Sequence, residues 1–199
     1  PSGDRAVVTT LNAGSAQGKQ SALRAGEAAR REPGRLVTAL LLLGMLLLLW
    51  LPRGLELDRY VTDDEHKWLT RGANFLDALA RGDWGATFQR EHPGVTVMWA
   101  GAAALAAADP GYAAATPGQL DWNDDDIVTL LRARGIDPLE QLGRARALVV
   151  LAIAVALTLA YWAAMRLFGV LAATIGFGLI ALDPFHVALG RLLHLDALM

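Results

Sequence analysis

The chain has 199 residues, 54% hydrophobic and 19% charged with no cysteine, which excludes a chain disordered throughout, a disulfide framework and a thiolate metal site. Eighteen basic and 20 acidic residues leave a formal net charge of −2, so no global field favours nucleic acid as a partner. The apolar residues are bunched into a few long runs, and that distribution reads as an all-α, polytopic integral membrane protein carrying a helical outer loop.

Residues 1–35 form a leader, expected to be cytoplasmic and disordered, with six basic residues (Arg5, Lys19, Arg24, Arg30, Arg31, Arg35) against three acidic ones (Asp4, Glu27, Glu32). The run LVTALLLLGMLLLLWL over 36–51 then stays uncharged for 16 residues. That is just short of the ~17–25 that cross a bilayer, and Gly34 and Pro52 extend it to a first span over 36–52. A signal peptide is the competing reading, but LWLPRGLEL offers no small-residue cleavage site and the leader is long for a signal.

The outer loop, 53–144, holds four of the six Trp (Trp68, Trp84, Trp99, Trp122), more than a linker needs, and is expected to fold. Thr62 followed three residues later by Glu65 reads as a capping box. Leu69, Ala73, Leu76 and Leu79 then repeat at helical spacing up to Gly82, a stop signal. The expectation is an amphipathic helix over 63–81 lying on the bilayer surface. Residues 95–108 are apolar but too short to span, which suggests a re-entrant or interfacial helix. Asp137, Pro138 and Glu140 mark a further helix start, expected to run directly into the second span over 145–166.

That second span contains 19 uncharged residues, 147–165, with Tyr161 and Trp162 placed as an interfacial belt. After the single charged step at Arg166, the apolar run 167–182 reads as a third span closing a hairpin. Residues 183–199 read as an interfacial helix followed by the start of a fourth span. The basic leader against residues 53–143, with eight basic and fifteen acidic residues, puts the N-terminus in the cytoplasm and both the loop and Asp183 outside, although Arg144 and Arg146 run against the rule. The chain opens without Met and ends inside an apolar run, and so reads as the N-terminal part of a longer protein.

Chemistry is concentrated in a few places. Asp63, Asp64 and Glu65 place three carboxylates at a helix start, where acids also serve the helix dipole and the capping box. Asp124 to Asp126 has the same structural account and no evident chemical partner. His92-Pro93-Gly94 is a rigid turn that either aims His92 or simply reverses the chain. The last segment carries Arg191, His194 and Asp196; ionisable groups at membrane depth are costly and usually functional, but a span starting at Asp183 would bury Asp196 about 20 Å deep, so a short interfacial helix with the span starting near Asp196 is expected. Asp196 lies about 140° around a helix from Arg191, so one unbroken helix would not aim all three into one pocket. No phosphate loop, zinc spacing or nucleophile elbow is present.

The stretch TDDEHKWLTRGANFLDALARGDWGATFQREHPGVTVMWAG, preceded by one span and followed later by PFHVALGRLLHLDAL, resembles the N-terminal part of the family 39 membrane glycosyltransferases. These are of the protein-mannosyltransferase type within the GT-C superfamily, and include lipid A aminoarabinose transferases. The shared elements are an Asp-Glu pair after the first span, here Asp64-Glu65, and an Arg followed by a Leu-Asp-Ala-Leu-like element, here Arg191 with Leu195 to Leu198. The resemblance implies a GT-C-like fold in a bacterial-type plasma membrane. It also implies inverting transfer of a sugar from a polyprenyl phosphate to a hydroxyl of a protein or lipid acceptor outside the membrane. It implies Asp64 as base, with Glu65 orienting it or the substrate and Asp196 positioning the sugar or the acceptor as a third acid of the site. Arg191 first and Arg71 second would stabilise the leaving phosphate, with His92 and His194 as substrate contacts. No cofactor or metal is assigned, though a divalent ion is compatible with the family. The rival readings are a non-catalytic membrane subunit or inactive remnant and, third, a transporter fragment, against which the uncharged interiors of the first two spans argue.

Overall fold

The structure is a computed structural model that describes residues 34–89, 94–115, 118–121 and 126–198. Its regular elements are helices, with no strand among the described residues. They are α1 (Arg35–Gly54), α2 (Glu65–Arg81), α3 (Val95–Ala108), α4 (Asp126–Ala133), α5 (Pro138–Phe168), α6 (Val170–Leu182) and α7 (Pro184–Leu189), with a final 3₁₀ turn at Leu195–Leu198.

Two of these, α1 and α5, are long and apolar enough to cross a membrane. The 20 residues of α1 extend about 30 Å at the ~1.5 Å helical rise, the thickness of a hydrocarbon core. The expected third span is shorter than the sequence suggested. Gly169, with φ 87°, ends α5 and leaves α6 with 13 residues, a reach of about 20 Å. The hairpin itself forms, and the Tyr161 hydroxyl meets Thr174 Oγ1 across it at 2.9 Å.

Arg53 at the end of α1 donates to the carbonyls of Ala181 (3.1 Å) and Ile180 (3.3 Å) at the end of α6. Arg146, in the third turn of α5, donates to carbonyls just beyond α1. The C-terminal ends of α1 and α6 therefore share one end of the bundle with the start of α5, and α5 runs antiparallel to both. Their shared seam is rich in small residues: Ala154, Ala164, Ala173 and Ala181 surround Met45, Leu49 and Tyr161 and let the backbones approach. Large apolar side chains point outward instead, at Leu36, Leu40, Leu43 and Leu47 on α1 and at Leu171, Ile175 and Leu179 on α6.

At the shared end sits a helical head made of α2, α3, α4 and the first turns of α5. The 31 residues of α5 reach about 46 Å, so its N-terminal part has length to spare for this head. Leu142, Ala145 and Val149 join Trp68, Ala73, Val97, Leu105, Tyr112 and Ile127 in one core. The start signals read from sequence are in place. Asp137 caps α5 by accepting from the amides of Leu139 (2.8 Å) and Glu140 (3.0 Å), with Pro138 in the first turn. Helix α3 has the expected bounds, and Gly82 ends α2 in the left-handed conformation at φ 68°. Of the acidic run before α4, only Asp126 is among the described residues.

One expectation changes. Helix α2 does not lie with one face free for a bilayer surface, because residues 68–75 are buried on every side of the helix. Of the four loop Trp, Trp68 is buried, Trp84 and Trp99 are exposed, and Trp122 lies outside the described residues. Glycine in the His-Pro-Gly turn serves space rather than backbone freedom: Gly94 has φ −106°, and a Cβ there would sit 2.1 Å from the Trp68 ring.

Helices α2 and α3 cross at a glycine pair, where a Cβ on Gly72 would meet the Gly101 Cα at 3.0 Å. Backbone cannot swing aside as a flexible side chain does, so Gly72→Val should cost about 1–3 kcal/mol. Thermal unfolding in detergent checks this, and Gly176→Ala is the control. Around Gly176 nothing lies within 4 Å, and the helix-propensity gain of up to about 1 kcal/mol should hold or raise the midpoint.

Candidate functional site

The site begins with two consecutive carboxylates at the start of α2 that face opposite ways. Glu65 points inward with 0% exposure and receives five donors: Nε and Nη2 of Arg146, the Leu193 amide, and the Thr62 amide and hydroxyl. The capping box is thus half formed, since the glutamate reaches the Thr62 amide while the hydroxyl donates to the carboxylate instead of accepting from the helix. Burial pushes the Glu65 carboxyl up, but the Arg146 fork and the two amides outweigh it and hold it below its ordinary value. A side chain so enclosed does not face substrate. Of the two roles expected for Glu65, the buried side chain is placed to hold the start of α2 beside Asp64.

Arg146 completes the lock. Its Nη1 donates to the carbonyls of Leu57 (2.6 Å) and Arg59 (3.0 Å), and its Nη2 to that of Tyr60 (2.6 Å). The strap it gathers contains two non-glycine residues at positive φ, Glu56 at 53° and Tyr60 at 56°. Such conformations cost about 1–3 kcal/mol each and persist where surrounding contacts fix them. Arg191 grips the same strap by donating to the carbonyls of Leu55 (2.5 Å) and Glu56 (3.3 Å). This places Arg191, expected beside a leaving phosphate, in a structural role.

Asp64 points outward, its side chain 56% exposed. Its Oδ1 accepts from Lys67 Nζ at 2.8 Å, and its Oδ2 stands 3.9 Å from Nε2 of His194. The far ring nitrogen, Nδ1, lies 3.2 Å from Asp196 Oδ2. Trp68 sets its ring edge-on to His194 at 6.0 Å, and the Arg71 guanidinium stacks 4.4 Å from the Trp68 ring centre. Asp64, Lys67, Trp68 and Arg71 follow the i, i+3, i+4, i+7 spacing that places residues on one helical face. The Lys67 hydrogen bond holds the Asp64 carboxyl below its ordinary range, and the charges of His194 and Arg71 act in the same direction.

Of the residues singled out from sequence, the fold therefore joins Asp64, Arg71, His194 and Asp196. The single-helix objection to the last segment disappears because α7 ends at Leu189; the chain turns through 190–194, and His194 and Asp196 meet across that irregular backbone. His92 lies outside the described residues. Two participants were missed: Lys67, three residues after Asp64, and Arg146, a cation followed by a long apolar run. Among the described residues no group of three or more His, Asp or Glu is arranged to hold a metal ion. A cleft of about 610 Å³, lined by His66, Leu69, Val128 and Arg132 among others, shares no lining residue with the Asp64 cluster.

No family model, curated protein or solved structure matches this chain.

Removing Arg146 would strand a buried carboxylate. Arg146→Met should lose about 3–5 kcal/mol, against about 0–1 for Arg144→Met, which breaks an exposed pair with Glu140. Because the folded carboxyl titrates below its ordinary 4.5, the stability it contributes is present above that value and is lost as pH falls through the depressed one. Melting in detergent between pH 7 and pH 3 should show this acid loss in the native protein and a weaker one in Glu65→Gln.

Proposed function

We propose that this chain forms part of a polytopic membrane enzyme of GT-C-like architecture. It transfers a sugar from a polyprenyl-phosphate donor to an acceptor hydroxyl outside the membrane, with inversion at the anomeric carbon and with its N-terminus in the cytoplasm. The observation that carries the reading is the position of Asp64. It is a half-exposed carboxylate beside two cations, at the end of a bundle whose outer faces are apolar.

The chemistry follows from that placement. A donor whose lipid tail lies along apolar helices presents its phosphosugar where those helices end. There Asp64 accepts the proton of the acceptor hydroxyl as oxygen attacks the anomeric carbon. The bond from that carbon to the phosphate oxygen breaks, and its electron pair leaves with the polyprenyl phosphate. Lys67 and Arg71 stand where they stabilise the charge on that leaving group. Arg71 thus takes over the part the resemblance gave first to Arg191. Trp68, already stacked under Arg71, fixes the guanidinium plane. Protein and lipid acceptors both fit this chemistry.

Asp64→Asn, assayed in membranes with a labelled polyprenyl-phosphate sugar, should lower transfer by about 100-fold or more while leaving folding and membrane insertion intact. Native-like turnover in that variant overturns the role of Asp64. Topology has its own test, made simple by a sequence without cysteine. A single Ala80→Cys substitution, at an exposed position of α2, should react with a membrane-impermeant maleimide in intact cells. Labelling only after cell lysis would place the head in the cytoplasm and overturn the reading.

A further inference from the structure

We propose that Tyr60 is a stacking platform for the sugar of the donor, fixed beside Asp64 by the strap that Arg146 and Arg191 grip. The proposal rests on the reading of the site as one for a polyprenyl-phosphate sugar and adds the group that recognises the sugar itself.

The first ground is a residue in a conformation that does not suit it. Tyr60 has φ 56°, in the left-handed region where glycine and asparagine are at ease and a bulky aromatic residue is strained. It is nonetheless 80% exposed, so its ring packs against little of the fold and does not repay that strain. The other strap residue of this kind, Glu56 at φ 53°, has a local use for its side chain in a 3.1 Å pair with Arg59.

The second ground is where the residue is held. Arg146 Nη2 lies 2.6 Å from the Tyr60 carbonyl and 2.5 Å from Glu65 Oε2, so one nitrogen holds both acceptors. The Thr62 amide donates to the same carboxylate oxygen at 2.9 Å. Tyr60 and the start of α2 are therefore tied to one ion pair, and Asp64, which precedes Glu65, stands half-exposed in the same short stretch. The chain between them has no freedom to drift.

A phenol ring suits a sugar. Its face carries the negative part of the ring quadrupole, which attracts the weakly positive C–H bonds on one face of a pyranose. A ring serving only as a membrane anchor needs the right depth and no fixed direction, and an unstrained position supplies that at less cost. Its exposed neighbours in the chain include the charged Arg59 and Asp63, which suit a hydroxylated ring better than acyl chains. Tyr60 is thus a binding residue that sets one face of the sugar while Asp64 meets the acceptor hydroxyl.

The test compares two probes on the full protein in lipid nanodiscs: a labelled polyprenyl-phosphate hexose, and the same lipid as its methyl phosphodiester, which carries the same charge and no sugar. Tyr60→Asn suits the left-handed backbone, so its melting midpoint should stay level or rise. Its affinity for the sugar-bearing lipid should fall about three- to tenfold, the worth of an aromatic contact, while the methyl ester binds as before. Tyr60→Leu should show the same selective loss, and Tyr60→Phe should keep most of the affinity. Equal weakening for both lipids, or native affinity for the sugar-bearing lipid in Tyr60→Leu or Tyr60→Asn, overturns the proposal alone. A native protein that binds neither lipid, or transfers no sugar from the first, overturns the glycosyl-transfer reading, and this proposal with it.

Discussion

The buried pair of Glu65 and Arg146 is the constraint on which the arrangement of the head depends. Two charges taken out of water cost several kcal/mol each, and such a pair survives where geometry is good and every remaining donor and acceptor is used. Here both carboxylate oxygens and all three guanidinium nitrogens have partners. The partners come from three stretches far apart in the chain: residues 57–65, which run from the strap after α1 into the start of α2, the third turn of α5, and the segment after α7. With Glu65 turned inward, a helical step of about 100° puts its neighbour Asp64 on the open side. Because the Leu193 amide is bound to the same carboxylate, the next residue, His194, is delivered to Asp64. The pair thus fixes the site without taking part in it.

Much of the fold could be read locally. Long uncharged runs gave α1 and α5, a 14-residue apolar run gave α3 with its observed bounds, and Asp137-Pro138 gave the start of α5. Each of these depends on periodicity or on a cap within a few residues. The break at Gly169 was harder, because 167–182 is apolar throughout and composition alone does not show where a helix ends. The fate of α2 was harder still. Its sequence alternates in the manner of a surface helix, yet Thr70, Asn74 and Asp77 are buried by side-chain bonds to distant or neighbouring backbone and to Arg81. Asn74, for example, bonds both the amide and the carbonyl of Leu120, 46 residues away. No helical wheel contains that partner.

The site itself was legible as a set of residue types and obscure as a geometry. Asp64, His194, Arg71 and Asp196 all stood out as ionisable groups near apolar runs, but which of them meet is decided by long-range bonds. Glu65 and Asp64 look equivalent in sequence and differ completely in the fold. Arg191 and Arg146 exchange importance in the same way. Arg191 stands in a motif and donates to two strap carbonyls, whereas Arg146 reads from sequence only as an exception to a charge rule and organises the head. A cation followed directly by a long apolar run is the available signal, since such a group needs a buried partner, but its partner, Glu65, lies 81 residues away.

The division of labour between the two acids also bears on why the open one is suited to chemistry. A carboxylate with five donors is fixed and has no lone pair to offer, whereas Asp64 is held by Lys67 at one oxygen and keeps the other turned toward His194. Lysine suits that post. Its ammonium is a compact charge on a flexible stem and engages one carboxylate oxygen at 2.8 Å, whereas a guanidinium forked onto the carboxylate would hold both. Arg71, by contrast, is stacked on Trp68 and keeps its plane. One stacked cation and one on a flexible stem thus flank a carboxylate at the point where apolar helices end.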